Sequence, residues 1–391
     1  MKRQLVQYAR SLGFERIGIT SVEPLQREGE FLKRWLAEGR AGEMDYLERA
    51  PERRSRPAEL LPGAKSVIAL AMNYFQADRV GVSEYRRIGA TTDKQDANTP
   101  SRRNADTHNS EGLIARYARG RDYHKVIAKR LESFVRYLEA LAPGSQCRTF
   151  VDTGPLLERA LAQRAGLGFI GKNTMLITKG LGSWVFLANV VTTLELPQDS
   201  PDERSCGDCR LCIDACPTQA IMAPYELDAR RCIAYLTIES EKALLEDLRL
   251  CMGGWMFGCD ICQEVCPHNT PSVLNRHSPR PLAGNPSSLV TDMMGPRQGR
   301  SGVTFNRLRL SEILSIHNDQ QFHEQFEGTA LMRAGREGLL RNACIAAANL
   351  GRADLTGRLQ KLARSDSSPL VREHAAWALE TLSAGRFSRV R

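Results

Sequence analysis

Nine of the chain's 11 cysteines fall between Cys206 and Cys266. The run Cys206-Gly207-Asp208-Cys209-Arg210-Leu211-Cys212-Ile213-Asp214-Ala215-Cys216-Pro217 is a full C-x2-C-x2-C-x3-C-P pattern. That spacing wraps three thiolates around one 4Fe–4S cube and sends the fourth to a second cube. Structural zinc seldom asks for four cysteines this tightly spaced with a terminal proline. A second run, Cys259-Asp260-Ile261-Cys262-Gln263-Glu264-Val265-Cys266-Pro267, ends the same way but has Met256 where the first cysteine of a complete motif would stand. One ligand must therefore come from elsewhere. By exchange, one cube takes Cys206, Cys209, Cys212 and Cys266, and the other takes Cys216, Cys259, Cys262 and either Cys232 or Cys251. Cubes that share their polypeptide lie close enough to exchange electrons, so this segment reads as an electron conduit. Cys147 and Cys344, flanked by ordinary sequence, read as core residues.

Outside the cysteines, Asp152 in Val151-Asp152-Thr153-Gly154-Pro155 stands at the end of an expected strand, just before a proline-initiated helix. A carboxylate there suits either of two roles, a general acid or a helix-terminus residue that complements the dipole. Arg116, Tyr117, Arg119, Arg121, Tyr123, His124 and Lys125 combine charge with rings able to stack on an unpaired base. Further basic residues gather near the C-terminus: Arg333, Arg336, Arg341, Arg352, Arg358, Lys361 and Arg364. No G-x-G-x-x-G follows a strand, and no phosphate-binding G-x-x-x-x-G-K-[ST] occurs.

The elements that must position these groups fall into three segments. Residues 1–77 alternate helix and strand: Leu5 to Leu12 is amphipathic, Arg16 to Thr20 is β-branched, Phe31 to Leu36 is helical, and Ser66 to Met72 reads as a buried strand. That alternation suggests an α/β layer. Residues 78–111 are polar with nothing to bury and read as a mobile insertion. Order returns near Ile114, with a helix to about Ala142, a strand at Cys147 to Val151, a helix from Pro155 to Ala165 and a strand near Ser183 to Thr193. The divisions are 1–198, an α/β domain; 199–275, a ferredoxin-like module for two 4Fe–4S clusters; and 276–391, helical after a loop rich in Pro, Gly and Ser. Similar helices begin at Gly338 and Pro369, 31 residues apart, as in a short helical solenoid cap.

Composition narrows the classes. With 391 residues, 42% hydrophobic and 25% charged, the chain is too rich in core-formers to be disordered. Lys and Arg (54) exceed Asp and Glu (45), leaving a formal charge of +9 that favours an acidic partner such as nucleic acid. The longest apolar runs, Ser66 to Phe75 and Trp184 to Leu194, fall far short of the ~20 residues that span a bilayer. The first ten residues lack the unbroken apolar stretch of a secretory signal, and a cytoplasmic location is expected.

The chain resembles the epoxyqueuosine reductases in Val151 to Arg159, in Gly166-Leu167-Gly168-Phe169-Ile170-Gly171-Lys172-Asn173-Thr174, in the cysteine pattern, in Arg231-Cys232-Ile233-Ala234-Tyr235-Leu236-Thr237-Ile238-Glu239 and in Gly338-Leu339-Leu340-Arg341-Asn342. The resemblance covers nearly everything except residues 78–111. It implies an α+β multidomain enzyme with a corrinoid-binding α/β domain, a two-cluster ferredoxin-like module and a HEAT-like α-helical tail, an architecture similar to that of reductive dehalogenases. It implies reduction of epoxyqueuosine in a tRNA anticodon loop to queuosine with loss of water, with electrons from an unidentified donor passing through both clusters to cobalamin. A monomer is the form expected of such a protein.

The resemblance also assigns residues. It selects Cys232 over Cys251 and makes Asp152 the proton donor, whose carboxyl a cobalt-facing pocket is expected to raise toward a useful pKa. Arg54, Lys172 and Asn173 match motifs of the corrinoid domain, and Ala234, Cys259 and Asp260 are placed near the corrinoid because their motifs adjoin the second cluster. Two features depart from the family, namely the insertion and His268, where relatives commonly carry Trp. Competing readings are a corrinoid reductase for a small molecule such as an organohalide, which lacks a use for the basic charge, and an electron carrier, which lacks a use for the large first domain.

Overall fold

The computed structural model describes residues 1–75, 111–270 and 307–386. The polar stretch 78–111, apart from Glu111, lies outside the described residues, as does most of the loop after Pro267. In chain order the strands are β1 (Arg16–Ser21), β2 (Ser66–Asn73), β3 (Glu111–Ile114), β4 (Cys147–Phe150), β5 (Gly168–Ile170), β6 (Leu176–Thr178), β7 (Val185–Thr192), β8 (Ile221–Ala223), β9 (Glu226–Leu227), β10 (Trp255–Phe257) and β11 (Arg307–Arg309).

The main sheet has the order β1-β2-β7-β4. Strand β2 is buried from Ser66 to Met72 because both faces of the sheet are covered. On one face the Tyr123–Leu141 helix lays down Ile127, Leu131, Phe134 and Leu138 at three- and four-residue spacing, beside Leu5 and Ala9 of the Lys2–Ser11 helix. On the other face the short Glu158–Arg164 helix buries Leu161 and Ala162. Gly18 makes that contact possible, since a Cβ there would sit 2.0 Å from the Ala165 carbonyl oxygen.

The layer of helix on sheet expected from the sequence is present, but every pairing in this sheet is antiparallel. Ser21 ends β1 directly opposite Ser66, which begins β2. The helices between them therefore cap one end of the sheet instead of crossing over it, so the architecture is α+β rather than built from βαβ units. The helix expected from Pro155 starts only at Glu158, which leaves Val151 to Leu157 as a loop.

A second sheet, β10-β3-β11, draws one strand from each of the three segments. β3 pairs parallel to β10 and antiparallel to β11. A single apolar core runs through Ile114, Leu236, Met256, Leu340 and Ala375, so the segments interlock instead of packing as separate bodies.

The Gly335–Asn349 helix is buried on nearly every side, and its polar side chains close off carbonyls of the cysteine segment. Arg341 donates to Leu236 O (2.5 Å), Ser240 O (2.6 Å) and Lys242 O (3.3 Å). Asn342 donates to Thr237 O and Met256 O, and Asn349 to Arg249 O and Gly253 O. Buried carbonyls left open would each cost about 1–3 kcal/mol, so these side chains fasten the helical tail to the cysteine segment. The helix expected near Pro369 spans Pro369–Ser383 and packs on the first. Among the described residues, no helix is long and apolar enough to cross a membrane.

Candidate active site

Strand β4 ends at Phe150, and two residues later Asp152 adopts φ +55°, a left-handed conformation that a side chain other than glycine holds only under constraint. Its backbone N–H donates to both carboxylate oxygens of Glu158, at 3.1 and 3.2 Å. Its Oδ2 accepts from the Tyr123 hydroxyl at 2.6 Å and lies 3.3 Å from His124 Nε2. The other ring nitrogen, His124 Nδ1, is 2.8 Å from Asp122 Oδ1, and Asp122 also caps the helix by accepting from His124 N–H. The carboxylate of Asp152 nonetheless remains 56% exposed, open to an incoming group.

The electrostatics follow from these contacts. Burial raises the Asp152 carboxyl, but hydrogen bonds from His124 and Tyr123 and the positive charges of His124 and Arg333 outweigh it and leave it below the usual aspartate range. The raised carboxyl expected from the sequence is thus not Asp152, because two donors stabilise its anion. Burial lowers His124, yet its bonds to Asp122 and Asp152 lift it to about 9. Burial and the Asp152 charge push Glu158 up to about 7. Near neutral pH a histidinium therefore sits between two carboxylates, and burial beside Asp152 keeps Tyr123 a neutral phenol.

Other walls of the site come from distant parts of the chain. Tyr117 is packed against Tyr123 and Phe257 and feels the charges of both Asp152 and Asp260. Asp260, 1% exposed, accepts from Arg116 N–H at 2.7 Å, and burial pushes its carboxyl to about 7. Arg333 from the helical tail grips Glu239 through Nε (2.7 Å) and Nη2 (3.2 Å) and lies over the Tyr46 ring. Arg54 donates to Tyr46 O, while its Nε is buried with no partner.

Among the described residues no three ligating side chains converge tightly enough to enclose a single ion. The thiols instead form two looser sets. Cys266, pushed up to about 11 chiefly by burial, also feels the charges of Cys206, Cys212 and Cys209. Partly buried Cys262 feels the charges of Cys232 and Cys216 but also of Cys212 in the first set, Cys259 feels those of Cys262 and Cys232, and Cys232 feels that of Cys216. Cys251, like Cys232, feels Cys216. The partly exposed His268 sets its ring edge on Phe169, which packs with Cys266.

Lys172 and Asn173 are brought to the cysteine segment. Lys172 Nζ donates to Gly207 O at 2.6 Å and Asn173 Nδ2 to Cys262 O at 3.3 Å, with Thr174 at φ +66° completing the turn. Both side chains are thus engaged in docking the two segments. Ala234 lies in the first turn of the Ile233–Ile238 helix, just after Cys232.

The basic residues read as an RNA footprint divide. Arg121, Lys125, Arg333, Arg358, Lys361 and Arg364 are exposed, whereas Arg119, Arg336 and Arg341 are buried. Arg336 is paired with Asp366 in the core and Arg341 closes carbonyls, so neither can contact RNA. Tyr123 and His124 serve the Asp152 carboxylate. Asp122, Glu158 and the pairing of Arg333 with Glu239 were not singled out in the sequence. An Asp before an apolar-periodic helix is an N-cap signal that points to Asp122, but nothing local marks the others.

A family model described as epoxyqueuosine reductase QueG, DUF1730, matches residues 54–153, and one described as a 4Fe-4S double cluster binding domain matches residues 205–269. An epoxyqueuosine reductase of Xanthomonas campestris is 40% identical over 95% of this chain and 93% of its own, and one of Pseudomonas aeruginosa is 38% identical over 97% and 94%. Among solved structures, an epoxyqueuosine reductase with an epoxyqueuosine-modified tRNA-Tyr stem loop superposes with a TM-score of 0.76 at 30% identity, covering 97% of this chain and 90% of that one. A Bacillus subtilis epoxyqueuosine reductase, described with its aspartate catalytic loop swung out of the active site, gives 0.77 at 29% identity over the same shares. With relatives this similar over nearly its whole length, two matching family models and a site built around the Val151-Asp152-Thr153-Gly154-Pro155 loop, the chain belongs to the epoxyqueuosine reductase family.

Proposed function

We propose that the chain reduces epoxyqueuosine in a tRNA anticodon loop to queuosine, taking up two electrons and two protons and releasing the epoxide oxygen as water. The observation that carries the reading is the exposed Asp152 carboxylate, which stands on a left-handed turn and is oriented by Tyr123 and His124. An epoxide oxygen leaves far better when protonated, and Asp152 is the group we assign to deliver that proton. Because Asp152 is an anion at rest, its proton comes from His124, which is charged near neutral pH and is oriented by Asp122. Tyr123 stays neutral and fixes the carboxylate.

We assign Cys206, Cys209, Cys212 and Cys266 to one 4Fe–4S cluster and Cys216, Cys232, Cys259 and Cys262 to the other. The proximity of the thiols within each set supports this, and the clusters would relay electrons from an unidentified donor. The residues present suit a corrinoid: a buried arginine nitrogen without a partner at Arg54 and a buried carboxyl at Asp260, with Ala234 and Cys259 assigned to it because they adjoin the second set of cysteines. Cobalamin held there by these residues with Lys172 and Asn173 would supply reducing equivalents at carbon. The chain's own residues would bind the loop, orient it and manage its protons. We read 1–198 as the platform, 199–275 as the conduit and 276–391 as a HEAT-like cap, in a cytoplasmic monomer whose exposed basic residues meet tRNA phosphates.

The test is anaerobic reconstitution with iron, sulfide, cobalamin and a chemical reductant, then incubation with epoxyqueuosine-containing tRNA and nucleoside mass spectrometry. The wild type should convert the nucleoside with loss of one oxygen, and Asp152→Asn should slow the reaction by about 10²–10⁴-fold. Bound cobalamin with an untouched nucleoside would sink the substrate assignment, and an unimpaired Asn variant would sink the role of Asp152.

A further inference from the structure

We propose that Glu158 is the latch of the catalytic loop: its carboxyl group, by accepting the main-chain N–H of Asp152, holds that residue in the left-handed turn that presents it to the site. This rests on Asp152 being the proton donor, but the latch itself is a property of the loop. The contact is unusual in that both oxygens of one carboxylate lie on a single backbone N–H, at 3.1 and 3.2 Å. Asn189 of β7 donates to Glu158 Oε1 at 3.2 Å and so anchors the latch to the rigid sheet. A left-handed non-glycine residue persists only where its surroundings over-determine it. Here the loop's other hydrogen bonds are local, Thr153 N–H to Val151 O and Leu156 N–H to Gly154 O, until Leu157 N–H reaches Arg54 O. The Tyr123 and His124 contacts hold only the side chain. Glu158 therefore carries the backbone. A related protein whose loop is described as swung out indicates that such a loop has a second position.

Facing Glu158 are Asp152 from the loop, Arg159 on its own helix, whose guanidinium is spent on Thr174 O, neutral Asn189 from β7, and Tyr123 from the long helix, with His124 beyond Asp152. The negative charge of Asp152 and burial both favour the protonated form of Glu158 in the closed loop. Opening would separate the two carboxyls and admit water. Linkage then has a definite sign: closure takes up a proton at Glu158, so the loop is held more firmly below about pH 7 and loosens as pH rises through it. Glutamine reproduces the protonated acceptor, whereas alanine removes it.

The experiment is amide hydrogen exchange on the full-length, cluster-reconstituted protein without tRNA, read as protection factors for Asp152 to Gly154. At pH 6.5, Glu158→Ala should expose these amides about tenfold or more while the β2–β7 ladder stays protected, and Glu158→Gln should stay within about twofold of wild type. Wild-type protection should fall between pH 6 and pH 8, and the glutamine variant should be flat. An unchanged alanine variant, or a glutamine variant as exposed as alanine, would overturn the latch. Should the alanine variant not fold, the two pH profiles decide, since a flat wild-type profile also overturns it. None of these readouts uses turnover, so an active Asp152→Asn enzyme would remove the acid assignment without touching this result.

Discussion

The histidine between two carboxylates can be tested by a substitution that changes charge and almost nothing else, Asp122→Asn. Asparagine caps a helix about as well as aspartate, so the bond from His124 N–H to position 122 survives and the Tyr123–Leu141 helix keeps its start. What disappears is the negative charge 2.8 Å from His124 Nδ1, leaving only Asp152, 3.3 Å from Nε2. Together the two carboxylates carry His124 from 6.5 to about 9 against the pull of burial. Removing the nearer one should take away at least half the gain, bringing the midpoint to roughly 7.5, worth about 2 kcal/mol at 1.36 kcal/mol per pH unit. Because the Asp122 and His124 side chains are 23% and 28% exposed and Asp152 more so, screening by water reduces the stability equivalent to about 1 kcal/mol. The sign follows from a folded-state pKa raised above its ordinary value. The stabilisation is complete below about pH 6.5 and lost as pH rises through 9, so the variant is less stable at pH 6 and matches wild type above pH 10. The assay is an NMR titration of the labelled imidazole, with the pH dependence of kcat/KM measured beside it. If His124 recharges the proton donor, the alkaline limb of the rate profile moves with the ring from about 9 to about 7.5. A ring that still titrates near 9 would refute the electrostatic argument, and a ring that moves while the rate profile stays would refute the proton relay.

Three further outcomes are expected. Replacing Arg341 by Met strips donors from the carbonyls of Leu236, Ser240 and Lys242, at a cost of about 3 kcal/mol, seen as loss of the tail and of the cluster absorbance at lower urea. Cys232→Ala should lower iron content from about eight to about four per chain after reconstitution, while Cys251→Ala should leave it unchanged; the reverse result would exchange their roles. Gly18→Ala drives a methyl group into the Ala165 carbonyl oxygen and should destabilise the fold by about 1–3 kcal/mol, lowering its melting temperature without altering iron content.

Much of this protein was legible in one dimension because the relevant chemistry is local. Cluster ligation asks for thiolates a few residues apart on one loop, so Cys206 to Cys216 and Cys259 to Cys266 declare themselves by spacing alone. The apolar run at β2 and the periodic stripe from Ile127 to Leu138 are equally local, since burial on two faces or one is written in which residues recur. Strand direction was not, because helix–strand alternation does not say to which end of the sheet a connection returns; Ser21 facing Ser66 decides it. Nor was the acid's environment. Asp152 stands in a motif, but its pKa depends on Tyr123 and His124, 29 and 28 positions away, and on Arg333 far along the tail. The same residue types read as RNA contacts proved to be a carboxylate's donors in one place and core fasteners, Arg336 and Arg341, in another. Spacing along the chain determined which groups could share a cluster. Only the folded arrangement decided which charges meet, because electrostatic energy depends on distance through space and on exclusion of water, and neither is set by separation in sequence.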